Sequence, residues 1–203
     1  MIHPMIRRMI RPVAGTVVPA LLMALAADAS PARAADDAPF VTPQQDVDVT
    51  YVIASPDPTI PSVHQRMRWS DHARRQRIDP EGSATYMITD YGTRSLNVID
   101  LAHGARTVIP APGPALTQPG QRAAGNWSRG ATMLVAGQPC TVWQTHDTDG
   151  QASEVCYSDD GVMMQAMQGA RIVVRAESVA RTAQPDSVFA IPAGLKEVAA
   201  AHP

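Results

Sequence analysis

The sequence predicts a mainly β domain built around one antiparallel sheet. Three observations carry this prediction. Apolar residues recur with period two in short runs, and Gly, Asp and Pro turns separate the runs at hairpin spacing. The third observation is that strands and helices do not alternate in the βαβ manner, which argues against a doubly wound nucleotide-binding fold. Short strands between such turns are typical of a meander, a sandwich or an open barrel.

The first 34 residues predict a secretory signal peptide that is cleaved after Ala34. Positive charges at Arg7, Arg8 and Arg11 precede an apolar stretch over 13–27, and Ala32-Arg33-Ala34 fits an A-x-A processing site. The stretch is about fifteen residues long, short of the ~20 that span a bilayer. We therefore expect export to the periplasm and no stable membrane span after cleavage. An uncleaved membrane anchor is the alternative.

Cleavage at this site would change the charge of the chain. It leaves 13 basic and 18 acidic side chains, a net charge of −5. Nucleic acids and anionic membrane surfaces both favour a basic partner, so neither is expected as the main ligand. We divide the chain into a signal peptide (1–34), a flexible N-terminal segment (35–44), a β-rich domain (45–195) and a C-terminal tail (196–203).

The first half of the predicted domain contains six short strands. Apolar residues alternate over 47–53 and again over 63–69. An antiparallel pairing of these two strands would place His64, Arg66 and Arg68 across from Asp46 and Asp48, which favours one register. The other four predicted strands span 73–78, 84–89, 95–99 and 107–109, with turns at 79–82, 90–92 and 103–104.

Residues 110–125 differ in composition from the strands on either side. Four prolines and three glycines predict a long surface excursion, with a short helix near 118–124. Structureless loops of this length inside a domain are often lids or binding loops. A disordered linker is the second interpretation, and both stay open.

The second half predicts five further strands and a helical turn. The strands span 131–135, 140–146, 151–158, 162–167 and 171–180. The turn at 147–150 joins two of them into a hairpin. Pro185-Asp186-Ser187 predicts a single helical turn before Phe189.

The only cysteines of the chain, Cys140 and Cys156, predict a disulfide. An isolated pair in an exported protein is most simply a bridge. Counted outward from the hairpin turn, the two residues lie opposite each other or within one position. The bridge would enclose about fifteen residues, which the loop-entropy model credits with about 3 kcal/mol.

Five phrases of the sequence carry a family resemblance. They are Val135-Ala136-Gly137-Gln138-Pro139-Cys140-Thr141-Val142-Trp143, Cys156-Tyr157-Ser158-Asp159-Asp160-Gly161-Val162, Phe189-Ala190-Ile191-Pro192-Ala193-Gly194, Arg77-Ile78-Asp79 and Tyr86-Met87-Ile88-Thr89-Asp90. Together they resemble a family of uncharacterised exported bacterial proteins similar in fold to the periplasmic lipoprotein carriers LolA and LolB. The resemblance implies a half-barrel, a single curved antiparallel sheet with short helices or loops across its open side. In the carriers, the concave face holds acyl chains.

Methionine is the residue type that points toward an apolar ligand. Six methionines follow residue 35, and their flexible side chains suit cavities that accept varied apolar shapes. The predicted lining residues are Tyr51, Met67, Trp69, Met87, Trp127, Trp143 and Met163. A core filled by these same side chains is the alternative interpretation.

No catalytic or metal-binding constellation is predicted. The histidines at 64, 72, 103 and 146 lack metal-ligand spacing, and the aspartates at 147, 149, 159 and 160 match turn chemistry better than a Ca²⁺ loop. Ser70-Asp71-His72 has the residue types of a hydrolase triad, but in adjacent positions and without a nucleophile elbow. We expect no cofactor and no enzymatic activity, with a hydrolase as a weaker alternative.

A basic cluster has two interpretations. Its members are Arg66, Arg68, Arg74, Arg75 and Arg77. Guanidinium groups match phosphate oxygens, so the cluster could hold an anionic headgroup at the rim of a cavity. A solvated face paired with the acidic first strand is the other interpretation.

The predicted function is therefore a periplasmic, non-catalytic binding module for an apolar ligand, either a lipid or an acylated protein. The alternative is an envelope protein that binds a protein partner, or has a structural role, through a sheet whose concave side is filled.

Overall fold

The alternating runs form twelve strands of one sheet, which the computed structural model describes over residues 38–57, 59–110, 117–146 and 150–200. The strands are β1 (Val47–Ile53), β2 (Val63–Ser70), β3 (Arg75–Pro80), β4 (Thr85–Asp90), β5 (Ser95–Asp100), β6 (Ala105–Pro110), β7 (Ser128–Val135), β8 (Gln138–His146), β9 (Ala152–Tyr157), β10 (Met163–Gln168), β11 (Arg171–Ala180) and β12 (Lys196–Val198). A 3₁₀ helix covers Asp186–Phe189.

The strand order is β12-β6-β5-β4-β3-β2-β1-β11-β10-β9-β8-β7. Two antiparallel meanders, β1–β6 and β7–β11, therefore meet where β1 pairs with β11. The short strand β12 pairs with β6 in parallel. The sheet does not close on itself, and the predicted mainly β, antiparallel half-barrel architecture is confirmed.

All eleven predicted strands exist, with ends that differ by no more than three residues from the predicted ones. The predicted helical turn is present as the 3₁₀ helix. The predicted signal peptide and its cleavage site lie outside the described residues, as do 111–116 of the excursion and 147–149 of the hairpin turn. Cleavage after Ala34 therefore stays a prediction.

The helix predicted near 118–124 is wrong. Residues 118–121 form a turn in which the Gln121 amide donates to the Gln118 carbonyl at 3.0 Å. Pro119 followed by Gly120 suits this geometry, because Gly120 has φ +79° and proline presets the preceding φ. Proline and glycine side by side thus outweigh the helical preference of the alanines that follow.

Two terminal segments are more ordered than the sequence predicts. Phe40, in the segment predicted to be flexible, forms an isolated antiparallel bridge with Arg122. Ala38 and Thr42 are buried on either side of it. At the other end, the predicted tail contains β12, whose Lys196 amide donates to the Gly104 carbonyl at 2.8 Å. Long-range contacts that no local pattern announces hold both segments in place.

The sheet curls toward the face that carries Val47, Val49 and Tyr51. The Tyr51 hydroxyl of β1 donates to the Met163 carbonyl of β10 at 2.8 Å, past the intervening strand β11. The Gln138 side-chain amide of β8 similarly reaches the Val179 carbonyl of β11 at 2.9 Å. A flat sheet would keep these strands too far apart, so this face is concave. The main core lies there, formed by Val47, Val49, Tyr51, Met67, Trp69, Tyr91, Val135, Cys140, Cys156, Val162, Met164 and Ala176.

The buried face changes side along the first meander. In β1 and β2 the concave-side residues are buried, but in β4 and β5 the buried apolar residues are Tyr86, Ile88 and Ile99, on the opposite face. Residues 181–195, which we call the C-terminal strap, lie over this opposite face. Leu195 packs on the second apolar cluster and the buried Phe189 ends the 3₁₀ helix.

Hydrogen bonds attach the strap to the sheet. Arg77 of β3 donates to the Val188 carbonyl at 2.8 Å, and the Gln184 amide donates to the Asp46 carboxylate at 2.7 Å. Arg77 also lies over the Tyr86 ring, 3.8 Å from its centroid. The strap is therefore fixed at both ends, and strands β3–β5 are shielded on its side only.

Cys140 and Cys156 form a disulfide with a Cα–Cα distance of 5.5 Å. The register differs from the predicted one, since Val142 lies opposite Cys156 and Cys140 lies two residues further along the same face. A diagonal bridge remains possible because residues i and i+2 share a face and the sheet is strongly curled here.

Asp160 joins three distant parts of the chain. Its carboxylate accepts hydrogen bonds from Arg181 at 2.6 Å, Gln45 at 2.7 Å and Ser158 at 2.6 Å. Burial alone would raise the pKa of Asp160, but these hydrogen bonds and the Arg181 charge outweigh it and hold the pKa far below its usual range. The neighbouring Gly161 has φ +84°, and a Cβ there would lie 2.3 Å from the Thr42 carbonyl oxygen. The turn is therefore a close junction of the two chain ends.

We expect Asp160→Asn to lower the free energy of unfolding by about 1–2 kcal/mol at pH 7, because it removes the charge from these hydrogen bonds. A carboxyl with a lowered folded-state pKa stabilises above its unfolded pKa of about 3.9, and this contribution is lost as the pH falls further. The gap between wild type and variant should therefore narrow below about pH 4. Urea unfolding at pH 7 and pH 3 measures it, with Asp159→Asn as the control. A gap that is the same at both pH values contradicts the prediction.

Candidate functional site

Two rows of side chains run across the concave face of the first meander. Directly paired residues place Val49, Met67, Ile78, Met87, Val98 and Thr107 in one row, and Val47, Trp69, Gln76, Thr89, Leu96 and Ile109 in the next. We call the part of these rows on β3–β6 the apolar ladder: Ile78, Met87, Leu96, Val98 and Ile109.

Exposure changes along these rows. Val47, Val49, Met67 and Trp69 are buried on β1 and β2, whereas the apolar ladder is half-buried. The strap shields these strands only on the other face. The ladder therefore presents aliphatic and thioether groups to solvent as a continuation of the core, which is the arrangement expected of a surface that receives apolar matter.

The predicted lining residues separate into two groups. Tyr51, Met67, Trp69 and Met87 share the concave face of the first meander, but only Met87 is half-exposed. The Tyr51 phenol is spent on the Met163 carbonyl, and burial raises the pKa of its hydroxyl. The first three side chains form the core wall beside the apolar ladder.

Trp127, Trp143 and Met163 lie in the second half of the chain. Trp143 of β8 is buried, and the Trp127 ring meets the Tyr157 ring edge-on at 6.3 Å. Met163, which pairs with Tyr157, packs on the main core and offers its carbonyl to Tyr51. The structure thus does not gather the seven residues into one cavity within the described part of the chain.

Sequence reasoning missed the aliphatic part of the apolar ladder. Ile78, Leu96, Val98 and Ile109 sit in strands whose two faces are both largely apolar. A signal for them existed in the strand register, because each pairs with a ladder neighbour. Only the position of the strap distinguishes their face from that of Ile88 and Ile99.

The most voluminous recess among those along the described residues is a groove of about 600 Å³ between β1, β11 and the β7–β8 turn. Val52, Ala136 and Ile172 line it, with Arg175 and Glu177 beside them. None of the predicted lining residues borders this groove. A smaller recess of about 180 Å³ lies between Phe40, Arg122, Arg129, Trp143 and Tyr157.

Most of the basic cluster is neutralised by carboxylates on the strap side of the sheet. Arg68 and Arg77 both donate to Asp79, at 2.7 and 2.8 Å. Burial alone would raise the pKa of Asp79, but these hydrogen bonds hold it below its usual range. The remaining pairs are Arg66 with Asp48 at 2.9 Å and Arg75 with Asp90 at 2.8 Å. This geometry favours the paired, solvated face over a headgroup site.

The candidate triad residues do not converge. The Ser70 hydroxyl accepts from the Ala73 amide at 3.3 Å, while the Asp71 amide donates to Asp46 at 2.8 Å. His64 lies between Glu81 and Glu177, at 3.0 and 3.1 Å, on the exposed surface. Within the described ranges, no group of three or more His, Cys, Asp or Glu side chains is placed to hold a metal ion. Among the described residues, no helix is long and apolar enough to span a bilayer.

Comparisons with known proteins point to the fold. No protein-family model matches the sequence, and no curated protein matches it. An uncharacterized conserved protein from Thermus thermophilus has TM-score 0.57 and 9% identity, covering 77% of this chain and 91% of that chain. A chain of the Pseudomonas aeruginosa MucA/MucB complex has TM-score 0.51 and 14% identity, covering 76% and 58%.

PNGF-II is similar as well, with TM-score 0.51, 14% identity and coverage of 77% of this chain and 31% of that chain. The chain thus spans most of the Thermus protein but less than two thirds of the other two. Identities this low establish a shared fold and nothing further.

Proposed function

We propose that this protein is a periplasmic, non-catalytic binding module whose apolar ladder receives an apolar ligand, a lipid or the acyl chain of an acylated protein. The carrying observation is the change of buried face along the first meander. It leaves five apolar side chains half-exposed on the concave face, although that face is continuous with the core.

The ladder has the chemistry that an acyl chain requires. Its side chains are aliphatic apart from the Met87 thioether, and Thr89 and Thr107 are the polar positions in the same rows. An extended hydrocarbon gains free energy in proportion to the area that it buries, at about 25 cal/mol per Å². Ion pairs of the basic cluster lie on the other face, so they do not oppose an uncharged chain. The resemblance to lipoprotein carriers supports the same ligand class.

Extraction of the native protein tests this proposal. The protein is purified from the periplasm without detergent, and bound lipid is measured by native mass spectrometry and organic extraction. A stoichiometric lipid or acyl species is expected. A protein that is repeatedly empty, and that also fails to bind a fluorescent fatty acid, would overturn the proposal.

Isosteric variants then locate the site. We expect Val98→Thr and Met87→Gln each to weaken binding of a fluorescent fatty acid about tenfold, since each places a polar group against hydrocarbon. Val108→Thr is the matched control, because Val108 lies on the neighbouring strand with its side chain on the strap face. Equal affinities for Val98→Thr and Val108→Thr would place the ligand elsewhere.

A protein segment is the second candidate ligand. Strand β7 is an edge of the sheet, and its residue Leu134 is an exposed large apolar side chain. An extended peptide can add to such an edge through main-chain hydrogen bonds. The similarity to a chain of the MucA/MucB complex supports this alternative. Periplasmic crosslinking from position 134 that yields one defined partner, with an empty ladder, would favour it.

A further inference from the structure

The small recess beside Trp143 is built from three separate parts of the chain. Strands β8 and β9 supply Trp143, Thr141 and Tyr157, and β7 supplies Arg129. The bridge between Phe40 and Arg122 closes it from the N-terminal side. Thr141 and Trp143 are only 5% exposed, so the recess has a fixed floor.

Two hydrogen-bond donors on the wall have no protein partner. Neither the Tyr157 hydroxyl nor the Arg129 guanidinium donates a hydrogen bond to any described residue. Withdrawal from water is the main reason that the pKa of Tyr157 is raised to about 12, so this phenol keeps its proton at neutral pH. Arg129 lies over the Trp143 ring, 5.6 Å from its centroid. Both groups can therefore donate to a ligand.

The charges around the recess sum to one positive charge. Arg122 and Arg129 face it, and the exposed Asp159 is the opposing carboxylate. Arg122 is partly committed, because it donates to the Ala38 carbonyl and lies 4.5 Å from the Phe40 ring centroid. A monoanion matches this balance, whereas a dianion would be repelled by Asp159. Arg129 is the cation free to pair with it.

Size and shape restrict the ligand further. The recess of about 180 Å³ is smaller than the roughly 300 Å³ at which sites for drug-sized ligands begin. A cavity of about 150 Å³ accommodates one benzene ring. The indole of Trp143 and the phenyl ring of Phe40 offer flat apolar walls on which a ring can stack. The volume thus suits one ring with one small substituent.

We propose that this recess binds a small aromatic monocarboxylate, with its ring between Phe40 and Trp143 and its carboxylate on Arg129 and the Tyr157 hydroxyl. The site is separate from the apolar ladder, and neither the lipid nor the acyl hypothesis is needed for it. Thr141 contributes a further hydroxyl to the floor.

Benzoate is the probe for this site. Titration is followed by heteronuclear NMR of the folded protein, with the Trp143 indole N–H as the reporter. We expect saturable shifts confined to Trp143 and its neighbours, and about tenfold weaker binding of the neutral isostere benzamide, since a charge-assisted pair would be lost. Inorganic phosphate should not compete with benzoate.

Variants separate the charge from the packing. Arg129→Gln should weaken benzoate about tenfold while leaving benzamide unchanged, and Tyr157→Phe should have a smaller effect of the same kind. Arg94→Gln removes the same charge from a turn between β4 and β5 and serves as the control. Equal affinity for benzoate and benzamide, or equal effects of Arg129→Gln and Arg94→Gln, would overturn the proposal. Because the ladder variants leave this recess intact, its failure and that of the lipid site can be told apart.

Discussion

Replacement of Trp69 by alanine is expected to lower the free energy of unfolding by about 3–5 kcal/mol, the range for large core aromatics. Trp69 is fully buried at the centre of the main core, and its ring meets Tyr91 edge-on at 5.1 Å. The lost volume lies where β1 and β2 face the second meander, so surrounding strands cannot collapse into it. Urea denaturation followed by circular dichroism gives the difference directly.

Two further variants identify the origin of that loss. Trp69→Phe should cost less than half as much, because it keeps most of the ring and removes an indole N–H that is buried without a protein partner. Trp127→Ala is the control for loss of an indole, since Trp127 is only partly buried. If Trp69→Ala cost no more than Trp127→Ala, the assignment of Trp69 to the core would be incorrect.

Loss of the Cys140–Cys156 disulfide has the second-largest expected effect. The double variant Cys140→Ala/Cys156→Ala should be less stable by up to about 3 kcal/mol, because the bridge no longer restricts the unfolded chain. For a domain of this size, this corresponds to a decrease of roughly 6–12 °C in Tm. Thermal unfolding of the oxidised protein and the variant at equal concentration provides the measurement.

Reduction of the unaltered protein separates the crosslink from the lost side-chain volume. Both sulfurs are buried, so alanine also leaves a small cavity. Reduced wild type should fall between the oxidised protein and the double variant in Tm. Unchanged melting after reduction has been verified by mass would mean that the bridge does not stabilise the fold.

The amino-acid sequence determined most of the local structure. The alternation of apolar and polar residues defined eleven strands, and short Gly, Asp and Pro turns defined their antiparallel order. Both signals are local, since a strand needs one apolar face and a tight turn needs residues that accept its dihedral angles. The lone cysteine pair likewise identified the disulfide, because no other pairing exists.

Local patterns failed where a distant segment decided the outcome. The predicted tail became β12 because the backbone of β6 offered it partners, and the predicted helix gave way to a turn that contacts the N-terminal segment. Neither contact has a local sequence signal. The residue spacing around Cys140 was also misjudged by one position, since the hairpin register depends on the turn itself.

The candidate site shows the same division. Period two places Met67 and Met87 on one face and Tyr86 and Ile88 on the other, and the sequence alone determined this grouping. Which face is covered was decided only by the tertiary structure. The curl of the sheet buries the concave side at β1 and β2, while the C-terminal strap buries the opposite side at β4 and β5. Strands that are apolar on both faces cannot encode this choice by themselves, because burial depends on where remote segments pack.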